Sequence, residues 1–279
     1  MLTEATIVRA EDPLSTERIY MKRIILILLI VFFSNTQLQA FWGTITKGGY
    51  KISRITQHSK SLSDKEIINL SKLSDEISGT KKVGNILGKK NLPKKVLEDT
   101  YIRIAIYQNK ISRDEAELFY KNLSKTEGFV TTLRKIIGNN PQGTVGHLNE
   151  LRIANSAAEN GFKVVGIGKK FNDGRKSSLT DIDILLHKNG KDILIEAKKY
   201  SSHTKIPIDK FKADLDTLNI YEKNILKNKS IKIFSFTQKP KDEKLLKQYQ
   251  FWADKKGVQL IFGTPQEQIE QIKMLEKIL

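Results

Sequence analysis

The sequence predicts an α/β chain: a mixed sheet with helices on its faces over residues 141–279, preceded by a smaller all-α domain over residues 63–140. Three observations predict it. Two β-branched and aliphatic runs flank Asn189-Gly190, a strong hairpin signal because both residues tolerate the positive φ of a type I′ turn. Around that hairpin, short strand-like runs alternate with segments of helical period, in the order αβββαβαβα. Before Gly138 the apolar spacing is helical throughout.

Taken in order, the chain opens with a leader. Met21-Lys22-Arg23 precedes ten uninterrupted apolar residues, Ile24 to Phe33, and then a polar stretch ending in Leu38-Gln39-Ala40. A positive n-region, an apolar run too short to span a bilayer and a small residue at the cleavage point make residues 1–40 an N-terminal extension with a secretory signal peptide. The expectation is an exported chain, periplasmic or secreted, with Met21 a candidate start and an uncleaved membrane anchor the competing reading. Residues 41–62 have little periodicity and read as a linker.

The helical third follows. Ser63 caps a helix carrying Ile67, Leu70, Leu73 and Ile77 before Gly79, and Pro93 opens another through Val96, Leu97, Ile102 and Ile106. Ser112-Arg-Asp-Glu115 is a capping-box pattern ahead of Ala116, Phe119, Tyr120 and Leu123. No chemistry is visible here, and substrate positioning, delivery and partner binding all remain open as its role. Asn139-Asn140-Pro141-Gln142-Gly143 is a turn cluster and marks the domain boundary.

Thr144 to Asn160 reads as a helix with Leu148, Leu151, Ala154 and Ala158 on one stripe, ended by Gly161. Phe162 to Ile167 is a strand, Gly166 to Ser178 a basic loop, then comes the hairpin, and Ser201 to Ile208 is a connection. Asp209 caps the next helix, Ile231 to Phe236 is a strand, Asp242 to Lys256 a helix ending at Gly257, Val258 to Phe262 a strand, and Thr264-Pro265 starts the last helix.

Composition narrows the chemistry. The 279 residues include no cysteine, so a metal site must use oxygen or imidazole, and oxygen suits Mg2+ or Mn2+. The formal charge of +17 divides into an excess of +9 over residues 41–140 and +8 over 141–279. Such a balance favours nucleic acid or an acidic membrane surface, with a plain lysine-rich surface as the alternative.

Counting outward from the turn pairs Lys188 with Lys191, Leu186 with Ile193, Ile184 with Ile195 and Asp183 with Glu196. Opposed residues share a face, so two carboxylates converge, with Lys198 one step along and opposite Asp181. Facing acids are destabilising unless a cation neutralises them, and a divalent metal on Asp183 and Glu196 is the natural candidate. The plain alternatives are an ion-pair ladder on the hairpin and, for Asp181, a salt bridge to Lys198.

A helix carrying Glu150, a strand, Asp183 in Asp-Ile-Asp183, and Glu196-Ala197-Lys198 on the following strand resemble the PD-(D/E)XK nucleases, the restriction-endonuclease-like superfamily. The run from Gly146-His-Leu-Asn-Glu150 to Gly161-Phe-Lys-Val-Val is similar to the first helix and strand of that family. The resemblance covers residues 144–236, and Thr180 stands where Pro or Gly is common. It implies a restriction-endonuclease-like core (αβββαβ with further C-terminal β and α elements), an Ala197 carbonyl among the metal oxygens, and Glu150 as a ligand directly or through water. It also implies phosphodiester hydrolysis, in which the metal offsets charge and acidifies a water while Lys198 orients or deprotonates that water and stabilises charge.

Phosphate contacts are expected from Lys169, Lys170, Arg175 and Lys176 in the basic loop, and from Lys199, Tyr200, Lys205, Lys210 and Lys212 beyond the strand. His203 is a further candidate contact, whereas His147 reads as a helix-surface residue. The expected function is an Mg2+- or Mn2+-dependent endonuclease on DNA, or on RNA, without a small organic cofactor, in keeping with an exported toxin or effector that has an immunity or delivery partner. Two other classes stay open: a non-catalytic nucleic-acid-binding protein with a degenerate nuclease fold, and an envelope-associated basic interaction protein.

Overall fold

Turn chemistry and apolar stripes do set the elements in the computed structural model, which describes residues 62–69, 92–138, 141–175 and 179–278. The signal peptide, residues 41–61 of the linker, Leu70, Leu73, Ile77 and Lys176 lie outside the described residues. Among those described, no helix is long and apolar enough to cross a membrane.

A helical segment at 64–69 begins at a reciprocal cap, in which Ser63 N donates to Glu66 Oε2 at 2.7 Å and Glu66 N to Ser63 Oγ at 3.3 Å. Helix α1 (Lys94–Tyr107) follows Pro93, α2 (Arg113–Leu123) follows Ser112, and α3 (Phe129–Gly138) and α4 (Pro141–Glu159) complete the helical run. The Ser112 cap is half of the expected box. Its hydroxyl accepts Glu115 N–H at 3.1 Å, while the Glu115 carboxylate turns to Arg152 of α4.

All described residues fall in one compact unit, 42–279. Pro141, Gln142 and Gly143 of the turn cluster are the first residues of α4. Proline suits the first helical turn, where its missing N–H would have had no partner. Helix α4 packs on α2 and α3 and also on the sheet, so the helical third and the sheet share it.

The sheet holds β1 (Lys163–Phe171), β2 (Thr180–Lys188), β3 (Lys191–Lys198), β4 (Ser230–Phe236) and β5 (Gln259–Phe262), in that spatial order. β1, β2 and β3 pair antiparallel, whereas β3, β4 and β5 are parallel. Parallel neighbours need crossovers. They are α5 (Ile208–Tyr221), extended by a π turn over Glu222–Leu226, and α6 (Glu243–Lys256); α7 (Pro265–Ile278) closes the chain. The class is α/β with a mixed five-stranded sheet, and the element order is αβββαβαβα after the helical run.

Two boundaries differ from expectation. β1 runs on to Phe171, past Gly166 and Gly168, with a register shift between Val164 and Gly166 that restores pairing to β2. The start of β2 carries backbone groups that need partners, and the extended β1 supplies them. At α5 the residue before the helix is Pro207, and Asp209 makes no cap.

Alternation divides the core. Leu194, Phe234 and Phe236 join Phe211, Leu215 and Tyr249 under α5 and α6, with Phe211–Phe234 and Phe211–Tyr249 centroids at 4.8 and 4.5 Å. Ile193, Ile195 and Ile233, one residue out of phase and equally buried, point to the face on which α4 and α7 pack.

Candidate active site

The site forms where the hairpin opens. Asn189 and Gly190 both have positive φ, 48° and 77°, and the register beyond them is Lys188↔Lys191, Leu186↔Ile193 and Ile184↔Ile195. Those three pairs are as expected, but the expected Asp183↔Glu196 pair does not form. The paired ladder stops at Ile184↔Ile195, and Ala197 N donates to Asp183 Oδ2 at 2.8 Å. β3 continues along β4 instead, through Glu196↔Phe234, Ala197↔Ser235 and Lys198↔Phe236. Past the end, Thr237 holds the Lys198 carbonyl with its N–H at 3.1 Å and its hydroxyl at 3.0 Å.

Asp183, Glu196, Ala197 and Lys198 are therefore brought together, and Glu150 of α4 belongs to the same group. Glu150 is buried, and its charge reaches Asp183. One turn earlier, His147 places Nδ1 at 2.9 Å from Glu150 Oε1. His147 is thus tied to a site acid, and its spacing of three residues on a helix is the sequence signal that identifies it.

Lys198 Nζ contacts Glu196 Oε1 and lies 3.4 Å from Asp214 Oδ2, an oxygen that Lys210 Nζ also approaches at 3.6 Å. Asp214, on α5, was not among the sequence candidates. It lies in a helix flank sixteen residues past Lys198, and no local pattern links the two.

Asp181 does not bridge to Lys198. It faces Lys170 across the β1–β2 ladder and lies 3.7 Å from Lys135 Nζ of α3. The cause is the parting of β2 from β3: beyond Ile184 the start of β2 keeps company with β1 and α3.

The electrostatics follow from crowding. Loss of solvent pushes the half-buried Asp183 carboxyl well above the usual range, and the charges of Glu196 and Glu150 push it further. Burial likewise raises Glu196 to about 7, against the pull of Lys198 and with a push from Asp214. For Lys198, burial would lower the pKa, but Glu196, Asp183 and Asp214 outweigh it and hold the side chain as an ammonium.

The side-chain donors, Asp183, Glu196 and Glu150, are all hard oxygen, which suits Mg2+ or Mn2+ in kind. As placed, no three acidic or imidazole side chains among the described residues form a ready cage. The cation seated among the acids is the Lys198 ammonium.

The expected phosphate contacts fare unevenly. Lys169 and Lys170 belong to β1 and not to a loop, and Lys169 Nζ is paired with Glu127 at 2.9 Å. Arg175 is taken up by Asp173 at 2.9 Å, Thr217 Oγ1 at 2.7 Å and the Ala213 carbonyl at 3.4 Å, which makes it a clasp between the loop and α5. Lys205 pairs with Asp242 at 3.0 Å. Lys170, Lys199 and His203 are exposed.

Compared with protein-family models, curated proteins and solved structures, the chain has no match.

Proposed function

We propose that this chain is a metal-dependent endonuclease that hydrolyses phosphodiester bonds through a restriction-endonuclease-like core, with the PD-(D/E)XK pattern carried by Asp183 and Glu196-Ala197-Lys198. The observation that carries this reading is the gathering of Asp183, Glu196 and Lys198 at the point where β2 and β3 part. Two acids made expensive to ionise, beside an ammonium, are a poor way to stabilise a hairpin and a good way to bind a cation and a phosphate.

Asp183, Glu196 and Glu150 are the side chains that would hold Mg2+ or Mn2+, which supplies charge neutralisation and an acidified water. The resemblance adds the Ala197 carbonyl. His147 fixes the direction of Glu150. Lys198, kept charged by three acids, suits donation to a phosphate oxygen better than proton abstraction, which needs a neutral amine. Nothing in this set reads a base, so the backbone is the target; DNA is the favoured substrate and RNA the alternative. The leader makes an exported toxin or effector, with an immunity or delivery partner, the setting in keeping with this reading.

A non-catalytic nucleic-acid-binding protein is favoured by one observation, the lack of a ready three-ligand cage among the described residues. One experiment decides between them. The chain is incubated with plasmid DNA and with tRNA in Mg2+, Mn2+ or EDTA, alongside Asp183→Ala and Lys198→Ala. Metal-dependent cutting that both variants lose by at least about a hundredfold supports the enzyme. Binding without cutting in every metal supports the second reading and ends the first.

A further inference from the structure

Helix α6 buries Tyr249 and Ala253, and at about 100° per residue the direction opposite that stripe falls on Phe251. A polar residue is the norm there. Phe251 is instead 60% exposed, the middle of a line with Lys244 and Lys255, with Lys247 on its flank and all three lysines exposed. Trp252 continues the line. Its ring meets Phe251 edge-on at 5.3 Å and 81°, with Lys212 of α5 at 4.1 Å from its centroid and Lys255 at 5.0 Å. Glu243, Gln250 and Asp254 share the flank on which Lys247 lies, where Gln250 donates to Asp254 at 2.7 Å. Lys244, Lys255 and the rings thus line one side, and Lys247 stands between Phe251 and the acids.

We propose that this stripe binds single-stranded nucleic acid, with phosphates on Lys244, Lys247, Lys255 and Lys212 and a base stacked on Phe251. Lysine charge with an open ring is the combination that unpaired strands select, since every base offers a π face and every linkage a charge. A duplex hides its base faces and would leave the ring without a role. A membrane would need more than one exposed ring to insert, and a protein partner a wider apolar patch. The inference rests on the nuclease reading for the identity of the polyanion and on the surface alone for its place.

The test is fluorescence anisotropy with a labelled oligothymidylate of about 20 nucleotides, a duplex of equal length and anionic vesicles, in EDTA and over a range of salt, on the full chain. Phe251→Ala is expected to bind the single strand about tenfold more weakly with an unchanged salt slope. Replacing Lys244, Lys247 and Lys255 by Gln is expected to flatten the slope by about 2. Circular dichroism checks that each variant is folded. Unaltered binding in Phe251→Ala, an equal loss on the duplex, or an effect confined to vesicles would overturn the proposal. Cutting by the unaltered chain separates the two readings: stripe-dependent binding with no cutting in any metal defeats the nuclease alone, and cutting with stripe-independent binding defeats this inference alone.

Discussion

Ala197 N donates to Asp183 Oδ2 at 2.8 Å, so a side-chain carboxylate receives an N–H just past the last paired rung of the β2–β3 ladder. That bond ties the two strands together where their backbones part. It also keeps the Asp183 carboxyl beside β3, within reach of the Glu196 charge on which the proposed chemistry depends.

The charge at Asp183 has a stability consequence with a definite sign. Asp183 and Glu196 both titrate above the ordinary carboxyl range, Glu196 up to about 7, so the folded state binds protons that the unfolded chain releases. Their favourable contribution is complete below about pH 4 and is lost as the pH rises through about 7. Asp183→Asn keeps an acceptor for Ala197 N–H and removes the charge. Without metal it should be more stable than the wild type by about 1–2 kcal/mol at about pH 8, with no gain near pH 4, in urea unfolding. Millimolar Mg2+ should narrow the gap by stabilising only the wild type. A variant less stable at pH 8 would contradict the assignment.

Asp214 is expected to act by holding Lys198. Its Oδ2 is buried without a hydrogen bond and lies within 3.6 Å of two ammonium groups. In the cutting assay, Asp214→Asn should lower kcat about tenfold and leave KM within about twofold, as expected of a group that orients another. A change in KM alone would place Asp214 against substrate.

The loop after Lys198 depends on one hydroxyl. Tyr249 Oη accepts Ile206 N–H at 2.7 Å and donates to the Ile206 carbonyl at 2.7 Å, both inside the protein. Tyr249→Phe leaves that backbone pair without its partner and should cost about 2–4 kcal/mol in urea unfolding. A cost below about 0.5 kcal/mol would mean that the loop finds other partners.

Gly128 sets the contact between the helical run and β1. Its φ is +86°, and a Cβ there would sit 1.8 Å from the Ile167 carbonyl oxygen, beside the bond from Ile167 N to Glu127 O at 2.9 Å. Gly128→Ala should cost about 3 kcal/mol or more, since clash and backbone strain add. Gly146, within α4 and with nothing inside 4 Å of a built Cβ, is the control: Gly146→Ala should raise the melting temperature. Equal effects at the two positions would refute the steric account.

Much of the fold was legible because its signals are local. Asp242 accepts Leu245 N–H at 3.0 Å, Gly257 adopts a φ of 63° after α6, and Thr264 exchanges bonds with Glu267 at 2.7 and 3.4 Å. Each is a cap spelled in three or four residues. Pro141 shows the limit: a residue that punctuates a chain also begins a helix, and only the packing of α4 on both its neighbours tells which. Arg175 and Lys169 show it again, since a basic residue in a basic stretch looks the same whether it waits for phosphate or clasps Thr217 or Glu127.

By itself the sequence determined the hairpin and its register out to Ile184↔Ile195, because an Asn-Gly turn counts residues outward on both strands. It also confined any metal site to oxygen and imidazole, because cysteine is absent. Only the tertiary structure decided that Lys198 would share Asp214, that Asp181 would leave for Lys135, and that Phe251 would face solvent among lysines. Those contacts join helices to a sheet across tens of residues, and packing angle and depth, which no short pattern encodes, set which side chains meet.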